Sequence, residues 1–241
     1  MTEERKPVDL SLIIPVYNEE ECIEQTIKEA HSILKKLPGT FEILAVDDGS
    51  TDNTLRLLRK LAAELAGIRV LRLVPNSGQS AAMGAGFRFA AGNVIVLMDA
   101  DGQNDPADIP KLLDEIANCD VCCGYRASRQ DTAGKRIGSR LANRVRNWIL
   151  REDIIDTGCT LKAFKADMVR DLPMWRGMHR FLPALTRMKG AVIRQLPVNH
   201  RARAAGTSKY TNLGRLRETV WDLWAVRWMQ KRYRAFKVEE I

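Results

Sequence analysis

The sequence predicts an α/β fold, a mostly parallel sheet with helices on both faces, and two observations support this prediction. First, short apolar runs of strand length alternate with segments that carry apolar residues at helical spacing. Second, these runs are continuous rather than interrupted by polar residues, which is typical of strands buried on both faces of a parallel sheet. The 241 residues, 45% of them hydrophobic and 28% charged, suit one domain with a sizeable core.

The predicted elements follow this alternation along the chain. The predicted strands are 10–16, 41–46, 68–74, 93–98, 120–124 and 192–199. The predicted helices are 19–36, 52–65, 80–91, 106–116, 140–150 and 215–236. Residues 162–172 have mixed character. We expect a main domain at 1–212 and an amphipathic helical tail at 213–241.

Polar loops follow the first four predicted strands, at 17–19, 47–50, 75–78 and 99–101. Parallel sheets with helices on both faces bind ligands beyond the carboxyl ends of their strands. We therefore expect these four loops to converge on one edge of the sheet and to form the binding site there.

Two carboxylates separated by one residue, Asp99 and Asp101, follow the predicted strand 93–98. Side chains at i and i+2 of a strand point the same way, so both acids can face one point in a cleft. Paired hard oxygen donors suit Mg²⁺ or Mn²⁺, and such an ion in turn suits a diphosphate. A polar turn is the alternative, because Asp is frequent in loops for local hydrogen-bonding reasons.

Two other loops fit either a ligand or a purely structural role. Asp47 or Asp48, at the end of a strand, can accept hydrogen bonds from a nucleobase or from ribose hydroxyls. The same segment fits an Asp-Gly turn followed by a helix cap. The small residues between Asn76 and Gly86 favour either anion binding at a helix N-terminus or close packing of that helix on the sheet.

The charge distribution indicates anionic partners. The net charge is +8, and basic residues concentrate in 126–151 and 194–237. Phosphates, nucleic acid and an acidic membrane surface are the candidates. We do not expect nucleic acid, because acidic loops at the binding edge would repel it. The five cysteines show no disulfide framework, so we expect reduced, mostly buried thiols in a cytosolic protein, with a zinc site at 119–123 as the alternative.

Five segments, in order, carry a resemblance to a known family. Residues 13–19 (IIPVYNE), 46–52 (VDDGSTD) and 99–106 (DADGQNDP) resemble family-2 glycosyltransferases with the GT-A fold. The third segment looks most like that of dolichol-phosphate mannose synthases and bacterial polyprenyl-phosphate glycosyltransferases. Residues 156–159 (DTGC) and 200–210 (HRARAAGTSKY) are also similar to that subfamily.

The resemblance implies roles for individual residues. Those that would line the nucleotide-sugar pocket are Pro15, Tyr17, Glu19, Asp47 and Asp48. Those that would hold a Mg²⁺ or Mn²⁺ ion and the donor diphosphate are Asp99, Asp101 and Gln103. Those that would close over the diphosphate are Arg203, Ser208 and Lys209. Those that would bind the acceptor phosphate are Arg126 and Arg140, with Arg136 in reserve, and an exposed basic helix is the alternative.

The resemblance also implies an activity. It is an inverting transfer of a sugar from a nucleotide-diphosphate sugar, GDP- or UDP-linked, to a polyprenyl phosphate such as dolichyl or undecaprenyl phosphate. Asp101 would contribute to catalysis at the metal, and Asp156 would act as a base or as a positioning residue. The alternative is a family-2 enzyme that glycosylates a saccharide or a lipid-linked glycan.

The predicted tail carries Trp221, Trp224 and Trp228 on one helical face, fringed by basic residues. This pattern is typical of a helix that lies on an anionic membrane, and it also fits a helix that packs in the core or in a dimer. No apolar run approaches the ~20 residues that cross a bilayer. We therefore expect a peripheral protein on the cytoplasmic face of the membrane. A second copy of the chain and an integral-membrane protein are further candidate partners.

Overall fold

A seven-stranded sheet forms the centre of the molecule. The computed structural model describes residues 7–127, 133–202 and 212–234, with side chains except at 133–137, 139–141 and 212–218. The strands are β1 Val8–Val16, β2 Phe41–Asp47, β3 Ile68–Arg72, β4 Gly92–Leu97, β5 Val121–Arg126, β6 Lys162–Lys165 and β7 Ile193–Val198.

Eight α-helices accompany these strands in the described part of the chain. The helices are α1 Ile23–Leu34, α2 Thr54–Glu64, α3 Gln79–Phe89, α4 Ile109–Ile116, α5 Ala133–Leu150, α6 Ala166–Val169, α7 Leu182–Met188 and α8 Asn212–Arg232. Short 3-10 helices at Pro106–Asp108 and Met178–Phe181 precede α4 and α7. The helix predicted over 106–116 therefore begins as a 3-10 turn.

The strand order is β3-β2-β1-β4-β6-β5-β7. Pairing is parallel from β3 through β4 and again between β5 and β7. The mostly parallel sheet predicted from the sequence is confirmed. Strand β6 is the difference, because it runs antiparallel to both of its neighbours and lies within the segment that showed only mixed character.

Helices cover both faces of the sheet, as predicted. Alternate residues of β1 point to opposite sides, so that Leu12 and Ile14 join one core layer and Ile13 joins the other. Helices α1, α2 and α4 supply the first layer, and the remaining helices supply the second.

Close packing explains part of the small-residue segment in α3. A Cβ atom placed on Gly86 would lie 2.5 Å from Cγ2 of Ile13, which is too close for any side chain. The helix therefore approaches β1 at a distance that only glycine permits. This supports the packing interpretation for Gly86.

The five cysteines are free and buried, in agreement with the expected reduced thiols. Burial raises the pKa of Cys122 to about 12 and that of Cys123 to about 11. Thiols with raised pKa values are poor nucleophiles and poor metal ligands at neutral pH. The five cysteines are core side chains.

Candidate active site

The loops after β1 and β2 are joined to each other by hydrogen bonds. The backbone N–H of Asn18 donates to Ser50 Oγ at 3.0 Å, and the N–H of Thr51 donates to Asn18 Oδ1 at 2.8 Å. The N–H of Glu19 donates to Thr54 Oγ1 at 2.9 Å. Asn18 has a φ of 53°, a left-handed conformation that Asn tolerates better than most residues. These contacts fix the first loop beside the second.

The predicted nucleotide-pocket residues differ in their exposure. Pro15 is buried within β1, whereas Tyr17 is exposed and Glu19 is half-buried just beyond the strand end. Asp47 and Asp48 are both buried at the end of β2. The structure brings these five residues to one edge of the sheet, and their roles in binding stay predictions.

Asp48 and Asp47 have different surroundings. The carboxylate of Asp48 accepts hydrogen bonds from the backbone N–H groups of Ser77 and Gly78, both at 2.8 Å, and from Nδ2 of Asn76 at 3.0 Å. It therefore anchors the third loop. Asp47 Oδ1 accepts from the N–H of Ser50, while its buried Oδ2 receives a hydrogen bond from no described residue.

The loop after β4 brings the paired acids to this edge. Nε2 of Gln79, at the start of α3, donates to Asp99 Oδ1 at 3.2 Å. The N–H of Gln103 donates to Asp101 Oδ1 at 3.1 Å, across a turn in which Gly102 has a φ of +74°. Together with the contacts above, these bonds confirm that the four polar loops converge.

Burial raises the pKa of Asp99 to about 6, and the neighbouring charge of Asp101 adds to this effect. A hydrogen bond from Thr160 and the charges of Lys162 and Arg126 oppose the shift. The physical cause is that burial disfavours the ionised carboxylate. A divalent cation between the two acids would reverse the balance and lower this pKa.

The acidic pair fits a cation that also binds phosphate oxygens. Among the residues that the structure describes, no group of three or more His, Cys, Asp or Glu is placed to hold a metal ion. Mg²⁺ is commonly bound through one or two carboxylates together with the phosphates of its substrate, so a two-carboxylate site is chemically adequate. Asp99 and Asp101 meet this requirement.

The loop that carries Asp101 is tied to the end of β7. The N–H of Arg201 donates to the carbonyl of Gln103 at 2.9 Å, and the guanidinium of Arg201 contacts Asp105 at 2.8 Å and Glu29 at 2.6 Å. Nε2 of Gln103 lies 3.4 Å from Nε2 of His200. Arg203, Ser208 and Lys209 follow in the chain but lie outside the described residues, so their predicted roles remain untested.

Asp156 and Arg126 form a two-pronged ion pair. Nε and Nη2 of Arg126 donate to the two carboxylate oxygens of Asp156 at 2.7 and 3.0 Å, and the N–H of Gly158 donates to Oδ1 at 3.1 Å. Asp156 is buried. A carboxylate held by this many donors is well suited to positioning Arg126. Arg140 lies in α5, and its side chain is outside the described part.

A cavity of about 450 Å³ opens beside Asp99 and is lined by Lys162, His179 and Arg180. Sequence reasoning missed all three residues. Lys162 lies on β6, whose four residues give no apolar run, and its Nζ donates to the carbonyl of Cys159. Nδ1 of His179 lies 2.8 Å from Ser80 Oγ. Nη1 of Arg180 donates to Thr219 Oγ1 of α8 at 2.8 Å. Only the folded structure brings these segments together.

Helix α8 has two different faces. Leu223 and Val226 are buried in the second core layer, and Thr219 on the same face lines the cavity. On the outer face Trp221, Trp224 and Trp228, here called the tryptophan stripe, are 69%, 57% and 61% exposed. Among the described residues no helix has the length and apolar character needed to cross a membrane. The boundary predicted at residue 212 stays a prediction, although α8 packs against the main core.

Comparisons with known proteins found related sequences and a related fold. The family profile described as Glycosyl transferase family 2 matches residues 11–172. A dodecaprenyl-phosphate galacturonate synthase from Rhizobium johnstonii is 36% identical over 95% of this chain and 69% of its own length. An undecaprenyl-phosphate 4-deoxy-4-formamido-L-arabinose transferase from Pseudomonas fluorescens is 36% identical over 89% of this chain and 63% of its own length. The chain thus spans about two thirds of these curated relatives.

A solved structure supports the fold. Glucosyl-3-phosphoglycerate synthase from Mycobacterium tuberculosis, in complex with Mn²⁺, uridine diphosphate and phosphoglyceric acid, has a TM-score of 0.69 at 19% identity. The match covers 92% of this chain and 78% of that protein. At this level of identity the similarity concerns the architecture alone.

Proposed function

Because the chain belongs to glycosyl transferase family 2, we propose that it transfers a sugar from a nucleotide-diphosphate sugar to the phosphate of a polyprenyl phosphate. The relatives described above are named for polyprenyl-phosphate acceptors. One structural observation carries the proposal: the acidic pair Asp99 and Asp101 lies at the convergence of the four strand-end loops, beside a cavity lined by cationic side chains. This arrangement suits a diphosphate with its cation next to a second phosphate.

Asp99 and Asp101 are the residues that would hold Mg²⁺ or Mn²⁺, with Gln103 beside them as the third predicted contact. When bound, the ion offsets the negative charge that develops on the leaving diphosphate. Burial and mutual repulsion of the two carboxylates favour uptake of a divalent cation.

Transfer requires little proton chemistry from the protein. An oxygen of the acceptor phosphate forms the new bond to the anomeric carbon as the bond from that carbon to the diphosphate oxygen breaks. The phosphate is already ionised near neutral pH, so no general base is needed to generate the nucleophile. Asp156 then acts by holding the guanidinium of Arg126 at the site. The main tasks of the protein are orientation and charge stabilisation.

The tryptophan stripe supports action at a membrane surface. Tryptophan is favoured at the membrane interface, and Lys231 and Arg232 at the end of α8 add attraction to anionic lipid. We infer that the protein is peripheral and lies on the cytoplasmic face of the membrane. A second copy of the chain or an integral-membrane partner stays a prediction.

A transfer assay tests the proposed function. Radiolabelled UDP- and GDP-sugars are incubated with Mn²⁺ and with either undecaprenyl phosphate in anionic vesicles or a soluble oligosaccharide. We expect label in the extracted lipid for at least one donor, and its loss with Asp101→Ala but not with Asp114→Ala, an exposed acid on α4. Label that enters only the oligosaccharide would establish the alternative acceptor class.

A further inference from the structure

The cavity beside Asp99 is lined by basic side chains to which no role has been given so far. Lys162, His179 and Arg180 line it, and Asp99 is the one acidic residue among its described lining residues. If Asp99 binds the cation, the other charged side chains of the lining are all basic. This part of the site is chemically suited to an anion.

Lys162 gives the strongest indication that the cavity binds an anion. The residue is 3% exposed, so its ammonium group has lost most of its water. It donates to the carbonyl of Cys159 and, among the described residues, forms no ion pair. Burying a charge without an opposite charge is unfavourable, and such groups in proteins are generally paired or bind a ligand. The charge of Asp99 acts on Lys162 across the cavity, but a cation bound to Asp99 would offset that charge, and an anion in the cavity would then provide the opposite charge for Lys162.

The contacts of Arg180 indicate which kind of anion the cavity binds. Its Nη1 donates to Thr219, so Arg180 connects the cavity to α8, the helix that carries the tryptophan stripe on its outer face. A guanidinium, an ammonium and a hydroxyl together match the oxygens of a phosphate monoester. A lipid tail attached to that phosphate can leave the cavity along the helix that faces the membrane. A carboxylate on the donor sugar would make no use of this connection.

We propose that Lys162 and Arg180 bind the phosphate of the polyprenyl phosphate acceptor, in the cavity next to the metal-binding acids. This inference rests on the proposed function and names a binding element for its acceptor beyond Arg126 and Arg140. Two nitrogen donors of Arg126 bind Asp156. Lys162 and Arg180 therefore supply further donors to complete the phosphate site.

The test measures acceptor binding separately from transfer. Farnesyl phosphate is titrated into the full chain with UDP and Mn²⁺ present, and farnesol serves as the ligand without phosphate. We expect Lys162→Met to weaken farnesyl phosphate binding about ten- to hundredfold, with no change for farnesol. Lys162→Arg retains the charge and should recover most of the affinity. The matched control is Lys165→Met on the same strand, because Lys165 pairs with Asp120 outside the cavity.

Several outcomes decide the matter. Equal affinity of wild type and Lys162→Met for farnesyl phosphate would overturn the proposal, as would weaker Mn²⁺ binding with unchanged farnesyl phosphate binding. The proposal would also be overturned if Lys162→Met weakened only the binding of nucleotide sugars that bear a carboxylate. Thr219→Val provides a second variant and should weaken binding less. Because binding is measured without turnover, a protein that binds farnesyl phosphate through Lys162 yet transfers no sugar would refute the proposed function alone.

Discussion

Asp99 has an electrostatic cost in the folded protein, because its carboxylate is buried beside a second carboxylate. Its pKa of about 6 lies above the ordinary value of 3.8. A raised pKa means that the folded state favours the protonated form. Protonated Asp99 makes its full favourable contribution to the free energy of unfolding below pH 3.8. This contribution is lost as the pH rises through about 6. At pH 8 the ionised carboxylate therefore destabilises the metal-free fold.

Replacing this carboxylate by an amide should stabilise the metal-free protein. We expect Asp99→Asn to raise the free energy of unfolding at pH 8 by about 1–3 kcal/mol, and to have little effect near pH 4. Thermal unfolding in EDTA at both pH values measures this. Mn²⁺ should then raise the melting temperature of the wild type but not of the variant. Asp114→Asn, at an exposed position, is the control. A variant that is equally destabilised at both pH values contradicts the argument.

Arg126 and Asp156 should behave as one unit if Asp156 is a positioning residue. We expect Arg126→Met and Asp156→Asn each to lower kcat by about 10- to 100-fold, because displacement of a binding group by about 1 Å has effects of this size. The double variant should be no worse than the poorer single variant. Steady-state kinetics across pH provides the measurement. A much larger loss in Asp156→Asn, together with loss of the acidic limb of the pH profile, would instead identify a base.

Some residues of the site are predictable from sequence and others are not. The pair Asp99 and Asp101 is visible because both acids lie in one short segment after an apolar run. Asp47 and Asp48 are equally easy to identify in the sequence. Their different structural roles are not, because Asp48 accepts hydrogen bonds from residues that lie 28–30 positions later in the chain. Lys162 is not visible, because a lysine in a short strand has the same sequence pattern whether it faces solvent or a cavity.

At the scale of elements, Asp48 connects β2 to the loop that leads into α3. Its carboxylate accepts from two backbone N–H groups and one side-chain amide of residues 76–78, at 2.8–3.0 Å. These donors are partly buried and would lose their partner if the carboxylate were removed. The position of Gln79, which donates to Asp99 from the first residue of α3, depends on this anchor.

Asp48→Ala should therefore disturb both stability and the metal site. We expect a loss of about 2–4 kcal/mol in the free energy of unfolding, because buried donors are left unsatisfied. Urea denaturation measures the loss, and Mn²⁺ titration should show weaker binding. Asp114→Ala, which removes an exposed carboxylate, should change the stability by less than about 0.5 kcal/mol. Equal stability of the two variants would show that the loop holds its position without Asp48.

The elements that the sequence predicts well are those with long apolar runs. Strands β1, β2 and β4 are buried on both faces, so their sequences are continuously hydrophobic. Strand β6 has only four residues and begins and ends with lysine, and its antiparallel direction depends on pairing with β4 and β5. Neither feature has a local signature. The strand order likewise follows from packing between distant segments.

At the scale of the whole molecule, α8 lies between the candidate active site and the outer surface. One face of the helix lines the cavity through Thr219 and fills the core through Leu223 and Val226. The opposite face carries the tryptophan stripe. A membrane bound to this stripe would lie on the far side of the helix that forms one wall of the cavity. The proposed membrane binding and the proposed acceptor binding thus involve opposite faces of the same helix.

Removing the tryptophan stripe should separate the enzyme from the membrane without unfolding it. The three side chains are mostly exposed, so Trp221→Ser, Trp224→Ser and Trp228→Ser together remove little core packing. If each indole contributes on the order of 1 kcal/mol at the interface, the triple variant should bind anionic vesicles roughly 100-fold more weakly. Vesicle flotation at low and high salt measures this, and Val74→Ser, at another exposed apolar position, is the control.

The kinetic consequence distinguishes membrane docking from a structural role for the stripe. The triple variant should lose activity toward undecaprenyl phosphate in vesicles while retaining its turnover of farnesyl phosphate in solution, because the cavity itself is unchanged. Binding of wild type should weaken as salt rises, since Lys231 and Arg232 act through screened charge. If the variant floats with vesicles as the wild type does, or loses both activities equally, the stripe serves packing or association between copies of the chain.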